Sequence, residues 1–419
     1  MVKQGGEDLG QALRQEKYSE PINYLEMIHS DSKGWITKAE MNCGYKQWHY
    51  KYNQLLGQDF NQENVYISLN TFYSTFRRIE HLKELKAQFI DLDIYKTGFT
   101  KEQIIMHLEA DYFNKKIPRP NLIIDSGRGL YLIWLLNSVP SKALPLWKAI
   151  EEYLYGVLKP FGADRQALDP TRVLRIPGSI NSKSKTTVKV IDQYDYLYDL
   201  REIQSEYLPE LEERKAKKKG RPIKTVFIHR ERSLYYARIQ DIIKLCELRE
   251  YNLKGHRELV LFLYRYYLCY FLEDTKKALE DVLELNREFI YPLRETEVTR
   301  ATRSAETVYL NKNKDYKYKN ETLIELLEIT ELEETYMSTI ISKKEYRRRE
   351  NIRVKKAYKE KLKSEGKMTK KEELEQTRAK IKSLRAKGLK NKEIMQTLGI
   401  TSTTTFERHI SYLKKNGLI

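Results

Sequence analysis

The nonapeptide Ala87–Gln88–Phe89–Ile90–Asp91–Leu92–Asp93–Ile94–Tyr95 constrains the fold of this chain more than any other stretch. It has the make-up of a short strand, and a strand sends alternate side chains to opposite faces. Asp91 and Asp93 therefore share one face, while Ile90, Leu92 and Ile94 point the other way into a core. Two carboxylates held side by side repel, and desolvating them is costly unless a cation neutralises them. Oxygen ligands at that separation suit Mg2+ or Mn2+, which polymerases use in pairs on triphosphates. A lone Asp-x-Asp is also an ordinary strand end, solvated or capping a turn. The segments downstream decide between the two.

Charge narrows the class of partner. The 419 residues carry a net charge of +17, which points to a polyanion, most simply nucleic acid. Residues 341–419 hold 24 Lys and Arg against 9 Asp and Glu, a net of +15, leaving only +2 for the first 340. The electrostatic footprint is thus a C-terminal device. Cys43, Cys246 and Cys269 are widely spaced, without a Cys-x-x-Cys or Cys/His cluster. That excludes a disulfide framework or a zinc site and fits a reducing cytosol. The polar N-terminus has no apolar signal-peptide core. The most apolar run, Leu259 to Leu272, contains Arg265 and is too short to span a bilayer, so no membrane role is expected.

Taken in order, Glu20–Ser30 has the character of a helix and Val65–Phe72 alternates like a strand. Tyr73–Leu85 has helical spacing and leads into the Asp91/Asp93 strand. Thr100 caps a helix from Lys101 to near Phe113, and Pro118 and Pro120 end that connection. Asn121–Asp125 and Leu130–Leu136 are strands joined by Ser126–Gly127–Arg128–Gly129. Ser141–Leu158 is a helix, and Arg172–Ile176 and Thr187–Val190 are further strands. Alternation of the two types makes 60–195 one mixed α/β domain. Tyr198–Lys219 is a charged helix or linker, and Lys217–Pro222 is a basic hinge whose Gly-Arg-Pro resembles a minor-groove hook. Residues 226–312 are helical and Tyr/Leu-rich, with Arg257–Tyr267 and Thr275–Phe289 the clearest amphipathic stretches. Lys343–Lys370 is an exposed helix or a tether. In the last fifty residues Ile394, Leu398, Ile400, Phe406, Ile410 and Leu413 have the spacing of a three-helix core. Gly399–Ser402 is the turn of a helix-turn-helix, with Thr403, Thr404, Thr405 and Arg408 facing the groove.

Three segments of the α/β domain fit one site. Asp91 and Asp93 form the first. In the second, Ser126–Gly129, the glycines let main chain approach a phosphate and Arg128 can pair with it bidentately. The third runs from Asp164 to Lys185 and offers Asp164 and Asp169 beside Arg172, Arg175, Lys183 and Lys185. Acidic metal ligands next to several cations suit a nucleoside triphosphate. An ordinary surface loop whose acids and bases pair with one another has the same composition. No Gly-x-x-x-x-Gly-Lys-Ser/Thr loop occurs, which excludes a P-loop ATPase or helicase.

The order Asp-x-Asp, then Ser-Gly-x-Gly before a hydrophobic strand, then an Asp leading to Arg175–Ile176–Pro177–Gly178 and Asn181, resembles the archaeo-eukaryotic primase superfamily. The likeness is closer to its primase-polymerase branch in replication proteins of bacterial plasmids and mobile elements. It implies a multidomain α+β protein: an RRM-like catalytic domain over 1–210, a basic linker over 211–225 and a helical primase-associated domain over 226–340. A basic tether over 341–370 and the helix-turn-helix over 371–419 complete it. It also implies that Asp91, Asp93 and Asp164 hold two Mg2+ or Mn2+ ions, with Asp169 as the alternative third ligand. Ser126, Gly127, Arg128, Gly129, Tyr131, Arg172, Arg175, Asn181 and Lys183 would bind nucleoside triphosphate. Where the family usually has a phosphate-contacting histidine, this chain has Tyr131, a neutral donor of one hydrogen bond at pH 7. The implied activity is template-directed primer synthesis on single-stranded DNA, with duplex origin DNA gripped by the C-terminus and a separate helicase as partner. Two other readings remain from the residues alone: a non-catalytic replication initiator, and a metal-dependent nuclease.

Overall fold

A computed structural model describes residues 20–211, 224–311, 316 and 318–419. Contacts divide the chain into two compact units, Met1–Ile340 and Ile341–Ile419. Most of the expected basic linker, with its Gly-Arg-Pro tripeptide, lies outside the described residues.

The first unit opens with α1 (Glu20–His29), the hairpin strands β1 (Ile36–Glu40) and β2 (Lys46–Tyr50), α2 (Tyr52–Leu55), β3 (Val65–Ser68) and β4 (Thr71–Phe72). Then follow β5 (Leu82–Leu92), α3 (Lys101–Asp111), β6 (Leu122–Asp125), β7 (Leu130–Pro140) and α4 (Leu144–Leu158). Four short strands come next, β8 (Val173–Arg175), β9 (Ile180–Asn181), β10 (Thr186–Thr187) and β11 (Lys189–Gln193), and then α5 (Leu200–Tyr207). Two antiparallel sheets carry the site, a five-stranded one in the order β11-β6-β7-β5-β4 and a four-stranded one in the order β2-β1-β3-β8. Ile90 and Leu92 are fully buried, as strand alternation requires; β5 stops at Leu92, short of the expected Tyr95, and buried Ile94 opens a 3-10 turn over Ile94–Lys96.

β4 pairs with β5 only as far as Glu84, which leaves the rest of that β5 edge to be closed by other means. α4 closes its middle: Trp147 Nε1 donates to Ala87 O at 2.8 Å, and the Glu151 carboxylate accepts from Phe89 N at 2.8 Å. The end carrying the aspartates is closed by residues 162–164.

The expected helix over Tyr73–Leu85 is absent. Ile79–His81 is a single 3-10 turn, and Leu82 already begins β5. Ile79, Leu82 and Leu85 recur every third residue, a spacing compatible with a helix face. Pairing of Thr71 with Glu84 and of Leu85 with Val139 overrides that local preference. The hairpin β1–β2, on which β3 and β8 are built, precedes the α/β alternation read over 60–195 and lies within the catalytic domain expected over 1–210.

The same unit contains the helices α6 (Lys224–Leu248), α7 (Arg257–Leu272), α8 (Thr275–Glu288), α9 (Glu295–Leu310), α10 (Asn320–Leu326) and α11 (Glu331–Tyr336). The second unit consists of α12 (Lys343–Ser364), α13 (Lys370–Ala386), α14 (Asn391–Thr397) and α15 (Thr403–Lys415). Ile381, Ile394, Phe406 and Leu413 form the core of its last three helices, with Leu398, Ile400 and Ile410 packed against them. Thr403, Thr404, Thr405 and Arg408 are exposed on α15, and His409 is buried. Among the described residues no helix is long and apolar enough to cross a membrane.

Candidate active site

Register alone brings the acids together. Asp91 stands opposite Tyr131 in the β5–β7 ladder. On the other side of β5, Leu92 bridges Ala163, Asp164 N donates to Asp91 O at 2.8 Å, and Asp93 N donates to Gly162 O at 2.8 Å. That antiparallel register sets Asp164 opposite Asp91 and Gly162 opposite Asp93, and opposed residues share a face. Asp91, Asp93, Asp164 and Tyr131 therefore gather on one face at the end of β5. The Asp91 carboxyl is pushed up to about 7, first by burial and then by Asp93, with Asp164 adding to it and Arg172 and Arg175 opposing.

Two glycines make the close approach possible. A Cβ on Gly129 would lie 2.1 Å from Leu92 O, and one on Gly162, at φ +85°, would lie 2.8 Å from Asp93 O. Gly127, at φ +98°, is hemmed in by Ser184 and Asn181. The Ser126–Gly129 turn is pinned from both sides. Asn181 Nδ2 donates to Ser126 O at 2.6 Å, and Lys101 Nζ bonds the Asp125 carboxylate and Gly127 O. Asn181 and Ser126 are buried and work as struts, whereas Arg128 is exposed with its guanidinium 4.0 Å from the centre of the Tyr95 ring. Lys183 is exposed on the following turn.

Tyr131 is buried and bonded to Arg175, whose guanidinium also lies 4.9 Å from the centre of the Tyr66 ring. Burial and the Asp91 charge both push the phenol upward, so Tyr131 stays a neutral hydrogen-bonding group. Arg172 and Arg175 enter from β8 and its approach, in the other sheet. Asp93 is salt-bridged to Lys96, and Asp164 Oδ1 accepts from Gln166 N at 3.1 Å. With those bonds made, no group of three or more His, Cys, Asp or Glu among the described residues is arranged to hold a metal ion.

Asp169 is not part of this cluster. Its carboxylate accepts from Thr171 N at 2.8 Å and from Thr171 Oγ1 at 2.9 Å. Lys277 and Arg77, with those Thr171 bonds, hold it below the usual carboxylate range against the opposing effect of burial. These bonds make Asp169, the alternative third ligand, the anchor of a turn in its Asp-Pro-Thr sequence.

Against curated proteins, the chain is 67% identical over 398 residues to a replication protein of Clostridium perfringens, covering 95% of this chain and 98% of the relative. The chain belongs to that family of replication proteins. No protein-family model matches it. Among solved structures it is similar to the AEP domain of the cyanophage S-2L primase-polymerase, with 16% identity, a TM-score of 0.34, and coverage of 44% of this chain and 95% of that domain. It is also similar to the primase RepB', with 10% identity, a TM-score of 0.32, and coverage of 70% and 93%.

The replication protein also contains a support that its sequence did not advertise. The loop 168–171, which leads into Arg172 and Arg175, has its carbonyls held one after another. Buried Lys148 Nζ donates to Leu168 O at 2.7 Å, Arg172 N to Asp169 O at 2.9 Å, buried Asn70 Nδ2 to Pro170 O at 2.9 Å, and Arg77 Nη1 to Thr171 O at 2.6 Å. The one available sign was Lys148 itself, a lysine set in the apolar run Leu144–Ile150.

Proposed function

We propose that this replication protein is a DNA primase-polymerase, transferring nucleotides from NTP or dNTP to a primer 3′-hydroxyl on a single-stranded template. The observation that carries the reading is the convergence of Asp91, Asp93 and Asp164 on one face, with Arg172 and Arg175 facing them from the second sheet. Three carboxylates, one of them with a strongly elevated pKa, are a donor set suited to hard divalent cations, and they would hold two Mg2+ or Mn2+ ions. Bound ions would supply charge neutralisation at the α-phosphate and acidify the attacking hydroxyl.

The remaining steps belong to the chain. Arg172 and Arg175 neutralise the triphosphate, and exposed Arg128 and Lys183 extend that cationic wall. Gly127 and Gly129, without Cβ atoms, let the Ser126–Gly129 turn pack against Asn181, Ser184 and Leu92 O, which holds Arg128 beside the acids. Tyr131 keeps Arg175 aimed at the acids. The helical region 224–340 holds template or initiating nucleotide. Helices α13–α15 act as a helix-turn-helix on duplex origin DNA through Thr403, Thr404, Thr405 and Arg408. With no nucleotide-hydrolysing P-loop in its sequence, the protein relies on a separate helicase.

Tyr131 in the place of the family histidine favours one second reading, a non-catalytic initiator with a degenerate primase domain. Incubation with single-stranded template, labelled nucleotides and Mn2+ separates the readings. Product growth that Asp93→Ala abolishes supports the primase. Template shortening points to a nuclease, and neither change beside tight duplex binding points to the initiator.

A further inference from the structure

The helix α12 carries far more cations than its own acids can pair. Eleven of its 22 residues are Lys or Arg and three are Glu. Residues 351–361, three turns of it, are exposed without interruption, so no face is covered by protein. A helix polar all round persists in isolation only through many favourable i,i+4 pairs. Among the described residues its three acids supply such pairs to only four of the cations: Glu345 to Arg348 and Arg349, Glu350 to Arg353 at 2.7 Å, and Glu360 to Lys356 at 3.9 Å. Lys355, Lys359 and Lys363 then follow one another at i, i+4 and i+8, like charges stacked on adjacent turns, and each such pair opposes the helix. Arg348 lies two turns earlier on the same side, making a cationic edge about 22 Å long at 1.5 Å per residue. Glu372, the acid on which Lys359 and Lys363 act, is tied to Thr369 N and Thr369 Oγ1 at 2.8 Å each.

A sequence that sets like charges together along an exposed helix is under a constraint other than stability. We propose that α12 is a second nucleic-acid contact, in which Arg348, Lys355, Lys359 and Lys363 lie along the phosphate backbone of duplex DNA. The partner is a duplex because single strands are gripped by stacking their bases on aromatic rings. Of the exposed rings of this helix, Tyr346 lies about 100° or more from all four cations and Tyr358 about 80° or more from all but Lys355, so neither stands in the row itself. A regular array of phosphates needs no rings and matches a straight row of ammonium groups. The inference adds a sequence-independent contact to the duplex binding proposed for α13–α15, and rests on no step of nucleotide transfer.

The test uses the full chain and a random-sequence duplex of about 30 base pairs, with affinity measured across a salt series. Removing one phosphate-binding charge lowers the slope of log K against log salt by about 0.9, so Lys355→Gln/Lys359→Gln/Lys363→Gln should lower it by about 2.7. Affinity at low salt should fall at least tenfold, and Lys→Arg at the same three positions should restore both. The same charge loss at exposed Lys115, Lys142 and Lys159 of the first unit should leave the slope unchanged. Gln favours helix, so circular dichroism should show no loss of helicity. An unchanged slope in the Gln triple, or binding to phosphatidylserine vesicles in place of duplex DNA, overturns the proposal. Arg408→Ala reports separately on α15: loss of sequence preference tests the helix-turn-helix reading whatever α12 does.

Discussion

Asp91 is where function works against stability. Its folded pKa of about 7 lies above the value near 4 of an unfolded aspartate. Its protonated form therefore suits the fold, and the stability it lends is complete below about pH 4 and lost as the pH rises through 7. At 1.36 kcal/mol per unit the loss at pH 8 is bounded at about 4 kcal/mol. Asp91→Asn keeps the shape and removes the charge. It should raise unfolding stability at pH 8 by about 1–4 kcal/mol, leave it unchanged near pH 4, and lower nucleotide incorporation at least a hundredfold. Mn2+ should raise the melting temperature of the wild type and not of the variant. Equal stability of the two at pH 8 would remove the account of a desolvated, crowded carboxylate. Much of this residue-scale picture was legible, because strand alternation by itself puts Asp91 and Asp93 on one side. Asp164 and Asp169 were not separable from sequence. Five residues apart, both lie near the arginines, and only the pairing of 162–164 with β5 sets Asp164 opposite Asp91 while Asp169 anchors a turn.

At the scale of elements, the site depends on three segments lying closer than side chains normally permit. Gly129→Ala would put a methyl group 2.1 Å from Leu92 O, a backbone atom that cannot swing aside. Separation of β5 from the Ser126–Gly129 turn should cost roughly 2–4 kcal/mol and displace Asp93, lowering incorporation well beyond the loss of folded protein. Gly156 is the control: it lies in α4 with nothing within 4 Å, and Gly156→Ala should stabilise by about 0.5–1 kcal/mol with activity unchanged. Urea midpoints and incorporation rates of the pair check both statements. The sequence announced the Gly127 and Gly129 turn through its spacing. It announced neither the β1–β2 hairpin nor the start of β5 at Leu82. The first is half exposed and weakly alternating, and the second borrows a helical spacing that only pairing with β4 and β7 overrides.

For the whole molecule, the question is why the α/β region and the helices α6–α11 form one unit. Arg78, fully buried just before β5, supplies much of the answer. It pairs with Glu80 at 3.0 Å, with Glu288 of α8, and at 3.9 Å with Glu284, while Tyr264 of α7 donates to Glu80 at 2.7 Å. A second junction runs from Arg232 of α6 to Glu152 of α4 at 3.3 Å and to Glu273, which also takes Arg165. Composition hid this, since the charges of residues 1–340 nearly cancel and such pairs look like solvated surface. Removing one partner of a buried pair strands the others, so Arg78→Met should cost about 3–5 kcal/mol, most of it from Glu80 and Glu288 left without their cation. The cost should appear as one cooperative transition spanning both regions, followed by tryptophan fluorescence for the sheets and helical circular dichroism for α6–α11. A fragment of residues 1–340 should then fold and incorporate nucleotides with little duplex affinity, whereas a fragment ending at residue 211 should not hold its β5 end together. Separate melting of the two regions in the intact chain would show instead that the helices are an appendage, and that the arginines facing Asp91 are positioned by the sheets alone.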